Sequence, residues 1–135
     1  MKGSSMKKML LMALLGVAAQ AGAQALDGKS IYTANCAACH QASGAGIPGA
    51  FPALKGSAFV QGDLVPVATT VLKGRAGMPT FAAAFDDAQM ALVLGYIRQS
   101  WGNKGAAVSA ADVKAVRVSS GAGASIKEEA PLNLH

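Results

Sequence analysis

The chain has 135 residues, 52% of them hydrophobic, 5% aromatic and 14% charged, with two cysteines, two histidines and a formal charge of +5. That length allows one small domain, two cysteines give at most one disulfide and exclude a four-cysteine zinc site, and two histidines exclude an unaided multi-histidine metal cluster. The charge would point to an acidic partner, nucleic acid or a membrane surface, if it belonged to the folded part.

Lys2, Lys7 and Lys8 precede an unbroken apolar stretch over residues 9–19, and residues 20–25 then supply small side chains at alternate positions. This is the three-part layout of a secretory signal peptide, with Met6 as a second possible start and a cleavage site after Ala23 or, preferred, after Ala25. The apolar run is shorter than the roughly 20 residues that span a bilayer, so no permanent membrane span is expected. Without residues 1–25, nine basic side chains face seven acidic ones, a formal +2. Most of the basic excess goes with the leader, and with it the case for nucleic acid. The expected location is the periplasm.

Ile31, Tyr32, Asn35 and Cys36 recur at helical spacing and predict a helix over about 27–38. Residues 43–56 are rich in Gly, Ala, Ser and Pro, with Pro48 and Pro52, and predict a long loop. A short helical turn is expected at 57–61. Asp63 then caps a helix through Val71, with Pro66 in its first turn and Gly74 at its end. Residues 75–85, with Gly77-Met78-Pro79, read as loop again.

Asp86 and Gln89 mark the next helix start. Met90, Val93, Leu94, Ile97 and Trp101 follow as an apolar stripe, which Gly102-Asn103 stops. Residues 104–135 read as an Ala/Gly/Ser-rich, weakly structured tail with a faint helical stretch at 109–116. No strand pattern of useful length occurs, so the fold class is all-α, with a signal peptide at 1–25, a folded domain at 26–103 and the tail at 104–135. A loop as long as 43–56 counts against so small a compact fold unless something large fills its interior.

Cys36-Ala-Ala-Cys39-His40 supplies that filling: it is the haem c attachment motif. Two thiols one helical turn apart can each add to a haem vinyl group, and the adjoining imidazole of His40 then serves as the proximal iron ligand. Other readings fit less well. A thioredoxin-like dithiol needs a βαβ setting with the motif at a helix start, and a zinc site needs a further donor, for which His135 at the far end is poorly suited. A disulfide would close a tiny loop of little stabilising value and leave His40 unexplained.

The expected cofactor is therefore one covalently attached haem c. For the distal ligand, Met78 lies in an irregular loop able to fold over the haem, whereas its rival Met90 sits on an apolar helix stripe where methionine ordinarily fills core. A thioether opposite histidine raises the reduction potential and closes the iron to gases. That combination describes an electron carrier and not an enzyme; a five-coordinate gas-binding sensor would need an open distal side.

With these residues in view, 27–103 resembles the class I cytochromes c, and more narrowly the monohaem c-type domains serving bacterial periplasmic dehydrogenases. Gly28 and Tyr32 match the glycine and aromatic that, in this family, pack against an aliphatic and an aromatic residue of the last helix, here Val93 and Tyr96. The resemblance implies that the Pro52 carbonyl accepts a hydrogen bond from His40 and orients it. Leu54, Val71 and Leu72 suit the walls of a haem pocket, as they would suit any core. Residues 95–103 are similar to the final helix of cytochrome subunits of alcohol, sorbitol or gluconate dehydrogenases; those subunits often carry three haems, whereas this chain has one motif.

The function implied is one-electron transfer from a periplasmic dehydrogenase to a cytochrome or terminal oxidase, through a small transient interface at the haem edge. Lys55, Lys73 and Arg75 would ring that edge or stand as solvated charges. The alternative is a dedicated subunit of a dehydrogenase or terminal oxidase complex, docked through 104–135.

Overall fold

The structure, a computed structural model, describes residues 26–123. The signal-peptide reading of 1–25, the last part of the tail and His135 lie outside the described residues. Six helices follow one another: α1 (Gly28–Asn35), α2 (Ala37–His40), α3 (Ala58–Gln61), α4 (Leu64–Lys73), α5 (Asp87–Gln99) and α6 (Ala110–Ser120). Among the described residues extended pairing is confined to isolated bridges, Ile47 with Phe51 and Arg75 with Met78, so the all-α expectation holds.

Short polar side chains start the helices by accepting from backbone N–H groups that have no partner inside the helix. Asp27 accepts from Ser30 N at 2.7 Å and Asp63 from Val65 N at 3.1 Å. Asp86 and Gln89 form a reciprocal capping box at the start of α5. Gly74 ends α4 with φ +75°, a conformation that favours glycine.

The helix expected over 27–38 is divided. The Asn35 side chain donates to Ile31 O at 2.9 Å, sharing the carbonyl its own backbone would use. At Cys36 φ falls to −119°, α1 ends, and the motif starts the separate turn α2.

The core lies between α1, α4, α5 and α6. Met90, Val93, Leu94 and Ile97 on α5 are buried with Ile31 and Tyr32 of α1 and Val67, Ala68 and Leu72 of α4. The crossing of α1 over α5 depends on Gly28: a Cβ there would stand 2.1 Å from Leu92 O and 2.7 Å from Tyr96 Cβ. At this contact the Tyr32 ring lies 5.4 Å from Tyr96 and 5.2 Å from Trp101.

Two expectations need correction. Trp101 is not part of the helical stripe, because α5 ends at Gln99 and Trp101 takes φ +55°. Its ring turns back onto Tyr32 and Tyr96, and its Nε1 donates to Ala42 O at 3.0 Å.

Nor is the segment after Asn103 weakly structured as far as residue 123. Ser109 and Asp112 form a capping box, Gly121 closes α6 in the left-handed conformation, and Val113 and Val116 are buried against α4 and α5. Two valines in an Ala- and Ser-rich stretch form a stripe too sparse to stand out in sequence. Their burial follows from the matching surface that α4 and α5 offer.

Candidate functional site

Cys36 and Cys39 are free thiols, the first half-buried and the second exposed. Burial, with Cys39 beside it as the smaller influence, pushes the Cys36 thiol up to about 11. A dithiol used for disulfide exchange needs the opposite, a thiol acidified by its surroundings.

His40 is buried, and its Nδ1 lies 2.9 Å from Pro52 O. A carbonyl can only accept, so Nδ1 carries the hydrogen, and in the neutral ring the lone pair is then on Nε2. The ring is thereby fixed in orientation and in tautomer.

The intervening loop is built to deliver that carbonyl. Gly46 N donates to His40 O at 3.0 Å, and a Cβ on Gly46 would stand 2.4 Å from Phe51 O and 2.6 Å from Pro52 O. Gly44 lies under the Trp101 ring, 2.5 Å from its nearest atom if it bore a Cβ. The Tyr32 hydroxyl donates to Gln41 O at 2.7 Å.

Asn103, read from sequence only as part of a helix stop, fastens the other end of the loop. Its Nδ2 donates to Leu54 O and Ile97 O, each at 3.0 Å, and its Oδ1 accepts from Gly56 N at 2.8 Å. Nothing in a Gly-Asn pair signals this, because the two loop partners come from 47 and 49 residues away. Leu54 itself is half-buried against the core.

Met78 is half-buried in the loop between α4 and α5. Its N–H donates to Arg75 O at 2.9 Å and its carbonyl accepts from Arg75 N at 3.3 Å. Gly74 allows the fold-back, since a Cβ there would stand 2.6 Å from Met78 O. The loop then returns onto the open carbonyls at the end of α4: Phe81 N donates to Val71 O at 3.1 Å, Ala82 N to Leu72 O at 3.2 Å, and the Thr80 hydroxyl also to Leu72 O.

The structure thus joins His40 directly to Pro52 and holds Met78 by a separate set of bonds on α4. Met90 is wholly buried on α5. Lys55 and Arg75 are exposed, while Lys73 donates to Ser120 O at 2.9 Å, at the end of α6. Among the described residues no three His, Cys, Asp or Glu side chains gather as they would around a metal ion.

Residues 23–97 match the family described as cytochrome c oxidase, cbb3-type, subunit III. The chain belongs to the c-type cytochromes. Among relatives of this cytochrome, cytochrome c-552 of Thermus thermophilus is 38% identical over 112 residues, covering 71% of this chain and 74% of the relative. The cytochrome c subunit of a quinone alcohol dehydrogenase from Gluconobacter oxydans is 33% identical over 109 residues, 71% of this chain but 23% of the subunit. The CcoP subunit of a cbb3-type cytochrome c oxidase from Azospirillum is 36% identical over 102 residues, 70% of this chain and 34% of the subunit. The cytochrome therefore spans about a quarter of the first of these two subunits and about a third of the second.

Members of the family carry covalently bound haem c and transfer electrons; they are not themselves catalytic enzymes. The donor set here fits that cofactor: free thiols one helical turn apart and a buried imidazole whose Nδ1 is engaged by the Pro52 carbonyl. No helix among the described residues is long and apolar enough to cross a membrane.

Proposed function

We propose that this cytochrome is a periplasmic one-electron carrier with one haem c, tethered through Cys36 and Cys39 and ligated by His40 and Met78. The observation that carries this reading is the bond from His40 Nδ1 to Pro52 O, 2.9 Å long, within a Cys-x-x-Cys-His motif whose thiols are free. Haem c supplies the reversible one-electron change at iron.

The chain's own residues do the rest. Cys36 and Cys39 would hold the haem, each by adding its S–H across a vinyl group to give a thioether with no net oxidation or reduction. The Pro52 carbonyl holds the His40 ring and strengthens it as a donor. Leu54, Val71 and Leu72 keep water from the pocket, and a thioether from Met78 raises the potential.

Between Gln41 and Gly62 the chain bears one charge, Lys55, and it exposes the apolar Ile47 and Phe51. Such a surface suits a weak, transient redox contact with little electrostatic steering. The donor is a dehydrogenase and the acceptor a cytochrome or terminal oxidase.

Mass measurement of the purified protein tests the tether. The reading predicts the polypeptide plus one haem, and Cys36→Ala with Cys39→Ala abolishes the added mass. A polypeptide without haem, or with haem released by acid and organic solvent, would overturn it.

A second reading, a dedicated subunit of a dehydrogenase or oxidase complex, is favoured by the relatives that are such subunits. Stoichiometric copurification with a larger redox enzyme from the native cell would select it. Recovery as a free protein selects the carrier.

A further inference from the structure

Arg117 of α6 is 4% exposed, and each nitrogen of its guanidinium is committed. Nη1 donates to Ala82 O at 2.7 Å, Nη2 to Phe85 O at 2.9 Å, and Nε to the Asp87 carboxylate at 2.8 Å. Two of these partners belong to the far end of the loop that begins at Gly74 and carries Met78; the third is the first residue of α5.

The same stretch is stiffened by the parallel stack of Phe81 on Phe85, with centroids 5.3 Å apart. Residues 80–82 are tied to α4, as described above, and residues 82–87 are tied to α6 through Arg117. A planar guanidinium can hold three acceptors in one fixed fork, which a lysine ammonium cannot reproduce. Val113 and Val116 pack α6 on the core, and Arg117 reaches from α6 to the loop.

We propose that Arg117 is a positioning residue for the distal ligand: by clamping residues 82–87 it holds closed the loop that presents Met78. This rests on the reading of Met78 as that ligand. Without Arg117, one buried and one half-buried carbonyl and a carboxylate lose their shared donor, and opening of the loop becomes a local event well below global unfolding in free energy.

Imidazole binding to the ferric holoprotein tests this, because imidazole enters only when the distal ligand has left. Wild type, Met78→Ala, Arg117→Met and the double variant form a cycle. With Met78 present, Arg117→Met raises apparent imidazole affinity by about tenfold or more, as expected when one charge-assisted bond no longer opposes opening. In the Met78→Ala background the same substitution changes affinity by less than about twofold, within ordinary additivity.

An equal rise in both backgrounds, or no rise with Met78 present, overturns the clamp. If Met78→Ala fails to raise affinity by itself, the ligand assignment falls first and the clamp with it. Should Arg117→Met not fold, Asp87→Asn removes the ionic partner while leaving both carbonyl bonds. It then gives a smaller rise with the same dependence on Met78, and no rise overturns the proposal.

Discussion

Single side chains in this cytochrome close loops that the backbone alone leaves open. Asn103 partners two carbonyls and one N–H from a buried position, so Asn103→Ala takes a hydrogen bond from each of the three. Urea unfolding should show a loss of about 2–3 kcal/mol, larger than an exposed asparagine would give. Tyr32 is buried with its hydroxyl bonded to Gln41 O, and burial pushes that hydroxyl from the usual 10.0 up to about 12.

The unfolded chain therefore releases the Tyr32 proton first. Its contribution is complete below pH 10 and is lost as pH rises through about 12. Tyr32→Phe should flatten that part of the stability curve, measured by denaturant midpoints across the interval; an unchanged alkaline slope would refute the role. His40 and its motif were legible in the sequence because their chemistry is local. The three hydrogen bonds of Asn103 and the fork of Arg117 were not, because all of their partners except Ile97 O lie tens of residues away in the chain.

At the level of elements, caps were the legible part. Asp63 and Asp86 each accept the bond that a helix start requires, and Gly74 takes the positive φ that ends α4. The break at Cys36 and the early end of α5 were hidden, since the apolar repeat runs on past both points. Side-chain competition at Asn35 and the left-handed turn at Trp101 decide them.

The helix α6, legible in sequence only as a faint stretch at 109–116, runs over Ala110–Ser120 and is part of the folded unit rather than a tail. Val113→Ala should lower stability by about 2 kcal/mol through the space left in a fully buried site. A change below about 0.5 kcal/mol, typical of surface positions, would mean that α6 does not share the core.

For the whole molecule, the scarcity of aromatic residues and the long loop at 43–56 have one explanation. On the function proposed above, four helices and two short turns would frame a large rigid cofactor, tethered at Cys36 and Cys39, with the orienting Pro52 carbonyl on the loop and the Met78 loop tied to α4 and α6. The three aromatic rings present at the crossing of α1 over α5 lock the frame from which the motif projects. Ligation of the iron by both His40 and Met78 can be checked by adding carbon monoxide to the reduced holoprotein and recording its optical spectrum. The wild type should give a low-spin haem c spectrum that carbon monoxide leaves unchanged, and Met78→Ala one that carbon monoxide alters. A high-spin wild-type spectrum that shifts readily with carbon monoxide would contradict that ligation.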